Sequence, residues 1–254
     1  MKPTYLTLAL ALGAMCFSAC GSDEEEMNYS NPSKPQNDGS VAVTECPDNH
    51  HPHLIDLGLP SGTKWACCNV GAKTPQDFGE YYAWGEAQNK TQKQAGNKYT
   101  WGTYSHYSVG DRGEVSWTNI GMDITGTQWD AAHIFWQGKW QMPTQAQVKE
   151  LIDNCRRQWE LGEKDEKGKY HGTGAYMVSK INKAKIFFPA ASYYTDKGVN
   201  AAYGEATIWS SSAVPNKYEL DTPDKAIRMR IYNTDVKTEE TDRYWGLSIR
   251  AIAK

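Results

Sequence analysis

The chain has 254 residues and a formal net charge of −3, from 27 basic and 30 acidic side chains. The acidic excess sits in the first 52 residues; from His53 onward 25 basic side chains face 23 acidic ones, with no Lys/Arg cluster. That excludes nucleic acid as the expected partner, since a phosphate backbone is held by a basic patch, and it leaves about 200 residues for one ordinary domain.

In chain order, Lys2 precedes an apolar run from Tyr5 to Phe17 that ends in Phe17-Ser18-Ala19-Cys20. The run is far shorter than the ~20 apolar residues of a bilayer span, so residues 1–19 read as an export signal. The ending resembles a bacterial lipobox, which makes Cys20 the expected lipidation site and the outer membrane the expected anchor. Asp23-Glu24-Glu25-Glu26 resembles the acidic signal that displays such lipoproteins on the cell surface, although a solvated tether has the same composition. Residues 20–52, rich in Asn, Pro, Ser, Asp and Glu, are expected to form a flexible tether. Histidines 50, 51 and 53 in its last stretch read as compositional rather than as a metal site. Once Cys16 is lost with the signal and Cys20 is lipidated, Cys46, Cys67, Cys68 and Cys155 remain for an oxidising compartment, and four cysteines allow three pairings. The sequence holds no Cys-x-x-Cys spacing, so zinc is not expected.

From His53 the pattern is that of a folded domain. Residues 53–59 and 63–71 read as two strands around the turn Pro60-Ser61-Gly62. Thr74-Pro75 predicts one helical turn over 74–79, with Thr74 as cap and Pro75 at the first helical position. Residues 80–86 read as extended. Residues 87–127 are polar and Gly-punctuated, a long loop carrying Tyr99, Trp101, Tyr104, Tyr107 and Trp117. Asp130 to Trp136 suits a short helix. The clearest helix follows Pro143: Thr144 and Gln147 make a capping box, and Val148, Leu151, Ile152 and Cys155 share one stripe while Lys149, Glu150 and Asp153 face water. Beyond Cys155 the period falls from 3.6 to 2, with strands expected at 175–181, 185–188, 207–213, 227–232 and 244–251, alternately apolar and polar as in an antiparallel sheet with one wet side. Helices early and strands late predict an α+β domain.

Several motifs are recognisable: Asp56-Leu57-Gly58-Leu59-Pro60-Ser61-Gly62-Thr63-Lys64-Trp65-Ala66, Cys68-Asn69-Val70-Gly71-Ala72 and Tyr81-Tyr82-Ala83-Trp84-Gly85-Glu86. Trp140 with Met142-Pro143-Thr144, Glu150 to Cys155, Phe188-Pro189-Ala190-Ala191, Trp209-Ser210-Ser211-Ser212 and Gly246-Leu247-Ser248-Ile249-Arg250 follow in order. In these, residues 53–254 resemble the FISUMP family (Fibrobacter succinogenes major paralogous domain) of surface lipoproteins, which looks related to the C-type-lectin-like fold. The resemblance implies two short helices packed on a twisted antiparallel sheet, paired first and last strands, and long ligand-bearing loops. Formylglycine-generating enzymes share that fold, and Trp140 to Gln147 echoes their signature, with Gln141 in place of Arg and Gln147 in place of Glu. Their late reactive cysteines have no counterpart after Cys155, so no catalytic residue is carried over. Lectin calcium triplets are missing as well; no cofactor is expected, with calcium left open.

The resemblance places Cys68 on a strand against the central helix, hence a Cys68–Cys155 disulfide, and strand alternation then sends Cys67 toward Cys46. Trp65, Trp84, Trp140, Trp209 and Trp245 lie in the motifs and are expected in the core. The ligand site is expected on residues 190–209, through Tyr193, Tyr194, Asp196, Tyr203 and Glu205, with the loop around Trp101 and Tyr107 as the alternative. Asp77, Glu80 and Glu86 are scattered acids without a catalytic spacing, and His133 and His171 read as packing or surface residues. The expected activity is capture of an extracellular glycan or protein without chemistry; the rival is a degenerate or unrecognised enzyme on the same fold, or an accessory protein to carbohydrate-active enzymes.

Overall fold

The computed structural model describes residues 53–90, 98–164, 166, 170–200, 204–215 and 224–253. The expected signal, Cys20, the tether, Cys46 and Tyr203 lie outside the described residues. The domain opens on a hairpin, β1 (Leu54–Ile55) and β2 (Lys64–Ala66), whose turn needs Gly62 at φ +74° so that its N–H can reach the Leu59 carbonyl at 2.8 Å. Residues 74–79 form a turn but no helix. The Asp77 carboxylate accepts from the N–H groups of Lys73 (3.2 Å) and Thr74 (2.9 Å), and the Asp77 N–H reaches the Thr74 carbonyl (3.2 Å), so the segment closes as a single turn.

The segment read as a long loop is structured in part. It holds a 3-10 turn at Trp101–Thr103 and a hairpin of β3 (Tyr107–Val109) with β4 (Val115–Trp117). Next comes α1 (Ala131–Trp136), capped by Asp130. In α2 (Gln145–Asn154) the capping box forms as expected: Thr144 Oγ accepts from Gln147 N–H, and Gln147 Oε1 accepts from Thr144 N–H. Val148 and Leu151 are fully buried and Ile152 is partly buried against the same core. The chain then runs straight into β5 (Cys155–Glu160), followed by β6 (Glu163–Lys164), β7 (Tyr170–His171), β8 (Gly174–Ser179) and β9 (Lys185–Pro189). The last part comprises β10 (Tyr193–Thr195), β11 (Gly198–Asn200), β12 (Ala206–Ala213), β13 (Lys225–Ile231), β14 (Val236–Asp242), β15 (Gly246–Leu247) and β16 (Ile252–Ala253).

Among the described residues these strands build small antiparallel sheets, of which β5-β8-β9, β12-β13-β14 and β1-β2-β16 frame the core. With two helices against them, the domain is α+β. The opening hairpin pairs with the final strand, Ile252 opposite Trp65 and Ala253 opposite Lys64. The strand expected over 244–251 is broken, because β15 pairs with β10 and β16 with β2, and the chain between them turns inward. Trp65, Trp84, Trp140 and Trp209 are buried, and the indoles of Trp84 and Trp209 donate to the carbonyls of Ser210 (2.9 Å) and Tyr82 (2.8 Å). Trp245 is half-buried and packs against the same core.

Arg250 lies between the broken strands with none of its surface exposed. Its guanidinium donates to Asn69 Oδ1 (2.8 Å), the carbonyls of Ala66 and Cys67 (3.2 Å each) and that of Phe187 (2.9 Å). Burial pulls its pKa down to about 10. To present those carbonyls, the chain bends at Cys67 and Cys68, beyond the end of β2. That bend corrects the expected disulfide, because strand alternation does not extend to these residues. Cys68 Sγ faces the Ala72 carbonyl at 3.7 Å, and Cys155 is a buried free thiol, so the Cys68–Cys155 bond is not formed. The expected partner of Cys67, Cys46, lies outside the described residues.

Candidate functional site

Residues 190–200 are a hairpin rather than an open loop. β10 pairs with β11 on one edge and with β15 on the other, Tyr194 lying opposite Gly246. Gly246 is required there, because a Cβ would stand 2.5 Å from the Tyr99 ring. Tyr193 and Tyr194 point to opposite faces of β10. Tyr193 stacks on Trp245 at 4.5 Å with the planes 10° apart, and the Arg228 guanidinium lies 5.1 Å from the Tyr193 ring and 5.7 Å from that of Trp245. Tyr194 meets Tyr81 edge-on at 4.6 Å and Tyr99 at 6.1 Å. Asp196 is exposed at the hairpin tip. Glu205 is 1% exposed and accepts from Arg228 at 2.9 Å, so it is a buried counter-ion and not a surface contact. Arg228 also pairs with Glu239 (3.1 Å), which Arg230 (3.3 Å) and Lys237 (3.0 Å) share. Burial raises the Glu239 carboxyl, but Lys237 and the two arginines outweigh it and hold the group below its ordinary value.

The early loop supplies the larger aromatic surface. Half-buried Trp101 contacts Tyr107 at 5.4 Å, Trp117 at 5.0 Å and Tyr244 at 4.7 Å, and Tyr107 and Trp117 face each other across β3–β4 at 4.9 Å. The pleat of that hairpin places Tyr107, Val109, Val115 and Trp117 on one face, with Ser108 and Ser116 on the other. Val109 and Val115 are 54% and 52% exposed, so the aromatic cluster continues outward as an uncovered apolar strip. Tyr104 turns inward: it is buried, with its hydroxyl on the Trp84 carbonyl at 2.8 Å.

The two candidate loops meet. Tyr194 packs in the same cluster as Trp101, Tyr107, Trp117 and Tyr244, and the next residue, Trp245, carries Tyr193. Sequence reasoning missed the join at Tyr244-Trp245, where Tyr244 packs in the aromatic cluster and Trp245 against the main core. The hairpin carried its own signal, since Tyr107-Ser108-Val109 and Val115-Ser116-Trp117 alternate around Gly110-Asp111-Arg112-Gly113.

The acids nearby are committed to structure. Glu86 pairs with Lys90 and accepts from Ser105 N–H (2.6 Å) and Oγ (2.8 Å), and Glu80 accepts from the Tyr82 hydroxyl at 3.4 Å. His133 lies on α1 with Nδ1 3.3 Å from the Trp140 carbonyl; nothing is described of the His171 side chain. Among the described residues no three His, Cys, Asp or Glu side chains converge on a common point. The arrangement offers flat rings with polar tips, suited to stacking on a sugar ring or an apolar side chain. We find no match to the chain among family models, curated proteins or solved structures.

Proposed function

We propose that the chain is a lipid-anchored surface protein of the FISUMP kind, whose C-type-lectin-like domain captures an extracellular glycan or protein without chemistry. The observation that carries this reading is the aromatic face on which both candidate loops converge, ending in the uncovered strip of Val109 and Val115. The pairing of the opening hairpin with the final strand supports the lectin-like fold. Commitment of Glu86 and Glu205 to buried ion pairs weighs for binding over glycosidic catalysis, which needs a free pair of carboxyl groups.

A glycan array and a protein-binding screen on the purified protein, with a turnover assay on the same polysaccharides, test the reading. Binding without turnover is expected, and Val109→Asp with Val115→Asp should weaken it at least about tenfold, the loss of one apolar contact, while leaving the fold intact. Turnover of a bound polysaccharide would favour the enzyme reading. For the anchor, Cys20→Ala is expected to release the protein from membranes. Neutralising Asp23 to Glu26 should protect it from protease added to intact cells, and undiminished cleavage of that variant would remove the acidic run as a display signal.

A further inference from the structure

A second concavity lies away from the aromatic face. Where the β1–β2 turn, the segment before α1 and the start of α2 meet, Ser61, Asp123, Thr125, Gln141, Thr144 and Glu150 line an open cleft of about 400 Å³. Its walls are fixed by bonds among themselves. Glu150 accepts from Ser61 N–H (2.7 Å) and Oγ (2.6 Å), Asp123 Oδ1 from Thr125 N–H (3.0 Å), and Gln147 Oε1 from Thr144 N–H (2.9 Å) and Oγ (3.0 Å). The main chain of Gln141 is pinned to Ile252 by two hydrogen bonds, N–H to carbonyl in each direction, at 3.1 and 2.8 Å. Among the described residues, the hydrogen bonds of the wall leave the second carboxylate oxygen of exposed Asp123 and the side-chain amide of half-buried Gln141 without a protein partner, open to the cleft.

The leftover chemistry selects the ligand. Two carboxylates and no basic side chain line the cleft, so an anion is repelled. An ammonium would pair with the carboxylates, but pairs this open to water add little, and it has no acceptor for the Gln141 NH₂. A sugar hydroxyl both donates and accepts, which satisfies Asp123 and both ends of the Gln141 amide together. The Ala146 methyl, also in the lining, meets the C–H face of a ring. The volume sits at the small end of the roughly 300–1,000 Å³ range of ligand sites, enough for one or two sugar rings. We infer that this cleft binds a neutral sugar unit, with Gln141 and Asp123 reading its hydroxyls. The inference does not rest on the aromatic face.

The test is a titration of the ¹⁵N-labelled full chain with methyl α-glucoside, methyl α-mannoside, methyl α-galactoside and N-acetylglucosamine. Saturable shifts of the Gln141, Ala146 and Gln147 amides are expected with at least one sugar at millimolar concentration. Gln141→Ala and Asp123→Asn should each weaken that binding about tenfold, and Val109→Asp should not. Gln141 makes no side-chain hydrogen bond among the described residues, so its variant decides the matter if Asp123→Asn fails to fold. Silence of these amides with all four sugars, shifts that survive Gln141→Ala, or a response to ethylammonium but to no sugar would each overturn the inference.

Discussion

Asp130 holds together three segments that would otherwise have orphan donors: its carboxylate accepts from the N–H groups of Gly126 and Met142 (2.8 Å each) and of His133 (3.0 Å). Burial raises its pKa, while those three donors pull the other way. Asp130→Asn turns one acceptor into a donor facing an N–H and is expected to cost about 2 kcal/mol, read as a lower urea midpoint at constant slope. Cys155 sets an alkaline limit. Burial pushes its thiol from 9 up to about 12 and also raises the phenols of Tyr99 and Tyr104. Below pH 9 the thiol is protonated in both states and its contribution is complete; above pH 9 the unfolded chain ionises first, so stability is lost as pH rises toward 12. Arg250 has the opposite sign, its lowered folded pKa giving a gain that starts only near pH 10. Between pH 9 and 10 the thiol therefore dominates: the Tm should fall there, and Cys155→Ala should flatten the fall. An equally steep fall in that variant would place the limit elsewhere.

At the scale of elements, the polar strand β14 shows what sequence patterning can and cannot reveal. Val236-Lys237-Thr238-Glu239-Glu240-Thr241-Asp242 has no apolar period, yet it pairs along its whole length with β13, placing Glu239 opposite Arg228 and Lys237 opposite Arg230. Glu239 complements Arg228 across the ladder and also bridges the like-charged Arg230 and Lys237, an arrangement that depends on a register only the folded sheet supplies. Glu239→Lys is expected to destabilise by about 1 kcal/mol, since it sets a fourth cation beside Arg228, Arg230 and Lys237. High salt should recover part of the loss by screening, whereas a salt-independent loss would point to packing. α2 was legible for the contrary reason, because Pro143, Thr144 and Gln147 fix its start locally and Val148 and Leu151 fix its face. Strand β5 was not, because Cys-Arg-Arg-Gln-Trp-Glu alternates weakly and owes its form to pairing with β8. Of the candidate site, Tyr193 and Tyr194 were found from their chemistry, but their neighbours Tyr244 and Trp245 lie some fifty residues further along. Their contact is set by the β10–β15 pairing, which no local signal announces.

For the molecule as a whole, closure depends on its last described residues. Arg250 ties the bend at Ala66–Cys67 to Phe187 on β9, and β16 completes the sheet begun by β1 and β2. A chain ending at Ile249 would bury the carbonyls of Ala66, Cys67 and Phe187 without their donor, each at roughly 1–3 kcal/mol, against a total stability of about 5–15 kcal/mol for a domain. It is expected to be unfolded by circular dichroism, and a cooperative melt of that truncation would show that the tie is dispensable. The same tie dictates when the protein becomes a protein. A polypeptide threaded N-terminus first, whether out of a ribosome tunnel or through a membrane pore, delivers residues 250–253 after nearly everything they fasten. Until they arrive, the sheet begun by β1 and β2 lacks its third strand, and the carbonyls of Ala66, Cys67 and Phe187 lack their donor.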